Sequence, residues 1–96
     1  AIDEAKHYGL VNQSCPLNEL QNTALEWAHQ IAKSAPLSLA AIKSVVRETD
    51  HMELETAYEF MRSGSIKPYQ KMLRSDDAKE GPIAFSEKRS PKWKGK

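Results

Sequence analysis

The chain has 96 residues, 40% hydrophobic and 28% charged, an ordinary globular composition at the size of one small domain or one part of a larger one. Lys and Arg total 14 against 13 Asp and Glu, so the net charge is +1 and a polycation built for nucleic acid is excluded. One cysteine, Cys15, excludes an internal disulfide framework and favours a reducing compartment, expected to be the cytoplasm.

The chain opens Ala-Ile-Asp-Glu, without Met and without the basic start and apolar core of a signal peptide, so processing or truncation is expected. Residues 3–8 predict a short helical turn with Gly9 as its C-cap. Leu10–Cys15 predicts a short extended segment, stopped by Pro16. A helix is predicted from Asn18 to about Ser34, where Leu17, Leu20, Ala24, Trp27, Ala28, Ile31 and Ala35 recur at three- and four-residue steps and make it amphipathic with one buried stripe.

Ser34-Ala35-Pro36 places Pro at a first helical position. The helix that follows, to about Glu48, is rich in Leu, Ile, Val and Ala and predicts cover on more than one side. Asp50 and Glu53 have capping-box spacing for the next helix. Gly64 and Pro68 predict a kink or break within it. Ser75-Asp76-Asp77 predicts an N-cap with two acids in the first turn of a last helix, which Pro82 should distort. The fold class is therefore all-α, with four or five helices and at most one short strand.

Few constellations point to chemistry. His7, His29 and His51 lack ligand spacing from one another or from Cys15, so no metal site is expected. Asp76, Asp77 and Glu80 cluster without the pattern of a calcium loop and read as a charged helix N-terminus. Cys15 has no His near it in sequence and reads as a small apolar side chain. Residues 90–96 form a basic tail. Over residues 86–96, five cationic side chains face Glu87 alone, with Trp93 among them. That combination can hold an anion bearing a flat base, but by itself reads first as a solvated, frayed chain end.

Three ordered segments carry a family resemblance. Glu4-Ala5-Lys6-His7-Tyr8-Gly9-Leu10-Val11-Asn12 resembles the E-A-x-x-x-G-L-V-N element of the crotonase (enoyl-CoA hydratase/isomerase) family. Ile31–Leu37 followed by Lys43 is similar to its I-A-x-x-x-P-L…K segment. Asp77-Ala78-Lys79-Glu80-Gly81, then Ala84-Phe85-Ser86-Glu87-Lys88-Arg89-Ser90-Pro91-Lys92-Trp93-Lys94-Gly95, resembles its closing signature, D-x-x-E-G-x-x-A-F-x-E-K-R-x-P-x-[FW]-x-G. Glu55–Tyr58, Arg62–Gly64, Lys67, Tyr69 and Pro82 are similar to the carnitinyl-CoA dehydratase branch.

The resemblance implies that residues 1–96 are the helical C-terminal region of an acyl-CoA lyase. In the family this region covers a spiral catalytic core and builds a trimer or hexamer. It implies that the catalytic groups lie outside these residues, so the 96 residues alone are inactive. No metal or separate cofactor is implied, only coenzyme A as part of the substrate. By motif position, Tyr69, Phe85 and Lys88 are the implied coenzyme A contacts. Phe85 reads as core before ligand, and Lys88 equally suits a surface ion pair with Glu87. Phe85 and Lys88, three apart, are expected on one helix face. A free helical interaction module with an anion-binding tail, or a crotonase-fold isomerase or hydrolase, remains the alternative; no nucleic-acid or membrane partner is expected.

Overall fold

A computed structural model describes all of residues 1–96, which fall into two compact units, Ala1–Lys33 and Ser34–Lys96. Six α-helices and one 3-10 turn make up the regular structure, and no strand forms.

The first unit begins with α1 (Ile2–His7). Its end is closed by two backbone bonds, Gly9 N–H to the Lys6 carbonyl at 3.1 Å and Leu10 N–H to the Ala5 carbonyl at 2.9 Å. This closure needs a left-handed residue, and Gly9 supplies it at φ +72° without a Cβ penalty. Residues 10–16 run without a ladder. The Trp27 indole N–H ties them to α2 (Leu20–Ala32) by donating to Gln13 Oε1 at 2.6 Å. A 3-10 turn, Leu17–Glu19, leads into α2. The stripe expected to be buried stays open along α2: Leu20, Ala24, Trp27, Ala28 and Ile31 are all exposed. A single helix with one short neighbour has no second layer to cover it.

The second unit starts at α3 (Pro36–Thr49). Pro36 sits at the first helical position, and the Ala35 carbonyl accepts the first helical bond from Leu39 N–H at 3.1 Å. α3 packs chiefly on α5 (Lys67–Leu73). The small core of this unit comprises Ala35, Ala41, Ile66 and Ala84, with Ala41 only 1% exposed. Alanine at such a point suits close approach of two helices. The cover expected on several sides of α3 is absent, because Ile42 and Val46, one turn apart, are both exposed.

Asp50 does not cap α4 (Leu54–Arg62), as its spacing to Glu53 suggested. It closes α3 instead, and Glu53 takes the N-cap position of α4 without a side-chain bond. The Thr49 carbonyl accepts from Met52 N–H at 3.0 Å, and this turn keeps Asp50 in the α3 terminus. The break expected near Gly64 is complete. Gly64 turns at φ +84°, and α5 restarts with Pro68 in its first turn, so one expected helix becomes two.

α6 (Asp76–Ser86) opens as expected on Ser75, whose Oγ accepts from Ala78 N–H at 3.1 Å and donates to the Met72 carbonyl at 2.7 Å. The distortion expected at Pro82 does not end the helix, which runs on to Ser86. Proline deletes one donor here, while the next turn is intact: Glu87 N–H reaches the Ile83 carbonyl at 2.9 Å. On the same stretch, the Trp93 ring lies 3.5 Å from where a Cβ of Gly81 would stand.

Candidate functional site

The chemistry-bearing residues of the second unit gather on α6 and the segment that follows it. The end of α6 is closed by the same bond pattern as α1. Lys88 N–H donates to the Phe85 carbonyl at 3.2 Å, and Arg89 N–H to the Ala84 carbonyl at 3.0 Å. Here the left-handed position is held by a lysine: Lys88 has φ +53° and is the one non-glycine residue with positive φ. An L-residue in this region costs roughly 1–2 kcal/mol, which is why glycine usually takes the place.

Beyond Lys88 the chain turns back and runs along α6 from its C-terminal to its N-terminal end. Arg89 Nη1 and Nη2 donate to the two Glu80 oxygens at 2.6 and 3.1 Å, a bidentate pair. Arg89 Nε donates to Glu87 Oε2 at 2.5 Å. The Lys92 amide donates to Glu80 Oε1 at 2.7 Å. At the far end the Lys94 and Gly95 amides donate to the two oxygens of buried Asp77 at 2.7 and 2.8 Å. The Asp76 and Asp77 amides donate to the Lys96 carbonyl at 2.8 and 3.4 Å.

The tail is thus a strap. A frayed, solvated end, the bland reading of its composition, is not what forms. Its lysine side chains do face solvent, but its backbone amides satisfy the carboxylates of α6. The Asp76–Asp77–Glu80 cluster is therefore more than a charged helix N-terminus, because Asp77 and Glu80 are the two anchors of the strap. Between strap and helix lies an open cavity of about 500 Å³, lined by Asp76, Lys79, Glu80, Arg89, Lys92 and Lys94 among others.

The electrostatics follow from these contacts. The Arg89 guanidinium, then the Lys92 amide, hold the Glu80 carboxyl at about 2, down from 4.5. Glu80 and Glu87 in turn raise the already high pKa of Arg89. The Arg89 and Glu80 side chains are 37% and 20% exposed, so the pair is only partly wet and its geometry is better than that of a free surface pair. No group of three or more His, Cys, Asp and Glu side chains gathers in a way that would hold a metal ion.

Of the three implied coenzyme A contacts, Phe85 and Lys88 meet in one turn. Phe85 is 87% exposed in this chain, not core. The two do not share a helix face, as their spacing suggested. α6 ends at Ser86, and the left-handed backbone at Lys88 takes its side chain off the helical register. Lys88 does not pair with Glu87, whose carboxylate takes Arg89 instead. Tyr69 is half-buried on α5. Asp77, Glu80 and Arg89 organise the site, and sequence reasoning gave them no such role. The signal was present in D-x-x-E-G…E-K-R, which contains all three.

A family model described as enoyl-CoA hydratase/isomerase matches residues 1–96. The chain belongs to this family. Among curated relatives, it is 50% identical over 93 residues to the carnitinyl-CoA dehydratase of Proteus mirabilis (strain HI4320), covering 97% of this chain and 36% of that protein. It is 48% identical over 94 residues to the carnitinyl-CoA dehydratase of Escherichia coli (strain K12), covering 98% and 36%. Among solved structures, the enoyl-CoA hydratase of Bacillus anthracis superposes with a TM-score of 0.81 at 32% identity, covering 98% of this chain and 35% of that one. The chain therefore spans about a third of the length of these enoyl-CoA hydratase/isomerase relatives. It is an all-helical part of an enoyl-CoA hydratase/isomerase fold, and no helix in it is long and apolar enough to cross a membrane.

Proposed function

We propose that residues 1–96 serve as the C-terminal helical region of an enzyme that adds water reversibly to an α,β-unsaturated acyl-CoA, with crotonobetainyl-CoA as the preferred substrate. The observation that carries this reading is the half-identity to carnitinyl-CoA dehydratases along nearly the whole chain. The groups that polarise the thioester and handle water and proton lie outside these residues. The role of this region is assembly, as a trimer or hexamer, and contact with coenzyme A.

Within it, Lys88, Phe85 and Tyr69 form the coenzyme A contacts. Lys88 offers a flexible ammonium to the phosphate or adenine end of the ligand, from a turn beside an exposed aromatic ring. Coenzyme A arrives as part of the substrate, and the chemistry needs no further cofactor. Against a free module stands the apolar surface that the chain leaves open, Leu20, Ile31, Ile42 and Val46 among it, which a self-contained domain would cover.

Hydration of crotonobetainyl-CoA and of crotonyl-CoA by the full-length enzyme tests the reading. A strong preference for the first is expected. Preference for the second would discard the substrate, and activity on neither would discard the reaction. Lys88→Ala should raise the KM for acyl-CoA by about threefold to tenfold with little change in kcat, because it removes binding common to ground and transition states. A fall in kcat at fixed KM would give Lys88 a different role.

A further inference from the structure

Lysine is a poor choice for the left-handed turn after α6, and it is also the side chain least able to hold its own position. Two features of the structure compensate, and both belong to the next residue. The Arg89 amide closes the turn on the Ala84 carbonyl at 3.0 Å. The Arg89 guanidinium then reaches back to both oxygens of Glu80 and to Glu87, which flanks Lys88 on the other side. Glu80 also takes the Lys92 amide, so one carboxylate fastens both the turn and the start of the strap.

We propose that the Arg89–Glu80 ion pair is a positioning device that holds Lys88 in its left-handed turn and so presents its ammonium to the coenzyme A part of the substrate. This rests on Lys88 as a coenzyme A contact. Arg89 and Glu80 are positioning residues and touch no ligand in this scheme. The pairing couples a site on the middle of α6 to the turn nine residues later, so loss of the pair frees the turn while leaving the helix N-cap on Ser75 untouched.

Glu80→Gln is the decisive variant because two explanations give opposite signs. If charge near the ligand were all that mattered, removing a carboxylate close to an anionic ligand would lower the KM. If Glu80 positions Lys88, its neutralisation raises the KM. Gln retains an acceptor for the Lys92 amide, and melting curves check that the fold persists. In the full-length enzyme, E80Q is expected to raise the KM for acyl-CoA by about threefold to tenfold with kcat within about twofold. Arg89→Lys, which keeps the charge and loses the planar fork, is expected to do the same and carries the test if E80Q fails to fold.

In a Lys88→Ala background neither change should alter the KM further, because the group they position is gone. An unchanged or lowered KM in both variants, or an equal effect with and without Lys88, would overturn the proposal while leaving Lys88 a ligand. A KM unmoved by Lys88→Ala would instead remove Lys88 from the coenzyme A site and take this inference with it.

Discussion

Lys88 carries the sharpest conflict between local preference and proposed use. Its left-handed backbone costs roughly 1–2 kcal/mol, so Lys88→Gly should stabilise the fold by about 1 kcal/mol. The same change deletes the ammonium and should raise the KM for acyl-CoA, the exchange of stability for function expected where strain sits at a binding group. Thermal denaturation and steady-state kinetics on one variant read both; a destabilised K88G would mean that the turn carries no strain. Glu80 gives a second test at this scale. Its carboxyl is held at about 2 in the folded chain, against 4.5 ordinarily. A depressed carboxylate contributes stability that is full above the unfolded value and is lost as pH falls through the folded one. Acid unfolding should therefore gain a component between about pH 4.5 and 2, which Glu80→Gln removes.

At the scale of elements, α6 is held by two separate devices. Ser75 caps its N-terminus from within the local sequence, and Ser75→Ala should cost about 1 kcal/mol. Asp77 acts at long range, accepting two amides from residues 94 and 95. Asp77→Ala leaves both donors without their carboxylate and should cost about 2–3 kcal/mol. Hydrogen exchange separates the two. The Lys94 and Gly95 amides should lose protection in D77A and keep it in S75A, whereas equal loss in both would make the strap a passive follower of the helix. Ser75 was legible in sequence because a cap and its partner lie three residues apart. Asp77 was legible only as an acid near a helix start, because its partners are backbone groups that no side-chain pattern displays.

At the scale of the whole molecule, the apolar surface exceeds what the chain covers. In the first unit Leu10, Leu17, Leu20 and Ile31 are exposed; in the second, Ile42, Val46, Leu54 and Phe85. Open apolar surface of this kind marks contact sites or drives association. The 96-residue chain by itself should therefore self-associate, and light scattering should show mass rising with concentration. Ile42→Glu with Val46→Glu should reduce that association at unchanged helix content. A monomer at all concentrations would mean that these faces are inert.

Sequence alone decided where most helices begin and end, because those decisions are local. Gly9, Pro36, Gly64–Pro68 and Ser75 act through the conformations open to one or two residues, and each sits where the structure breaks or starts an element. It also determined the family, through motifs that extend nearly from end to end. Backbone pairing in the folded chain decided the rest. Asp50 closes one helix instead of opening the next, Pro82 is carried inside an unbroken α6, Lys88 leaves the helix register, and the basic tail becomes a strap. The first three rest on backbone bonds within five residues, whereas the strap needs amides to reach Asp77 from 17 and 18 residues away, a pairing that exists only once the chain has folded back on itself.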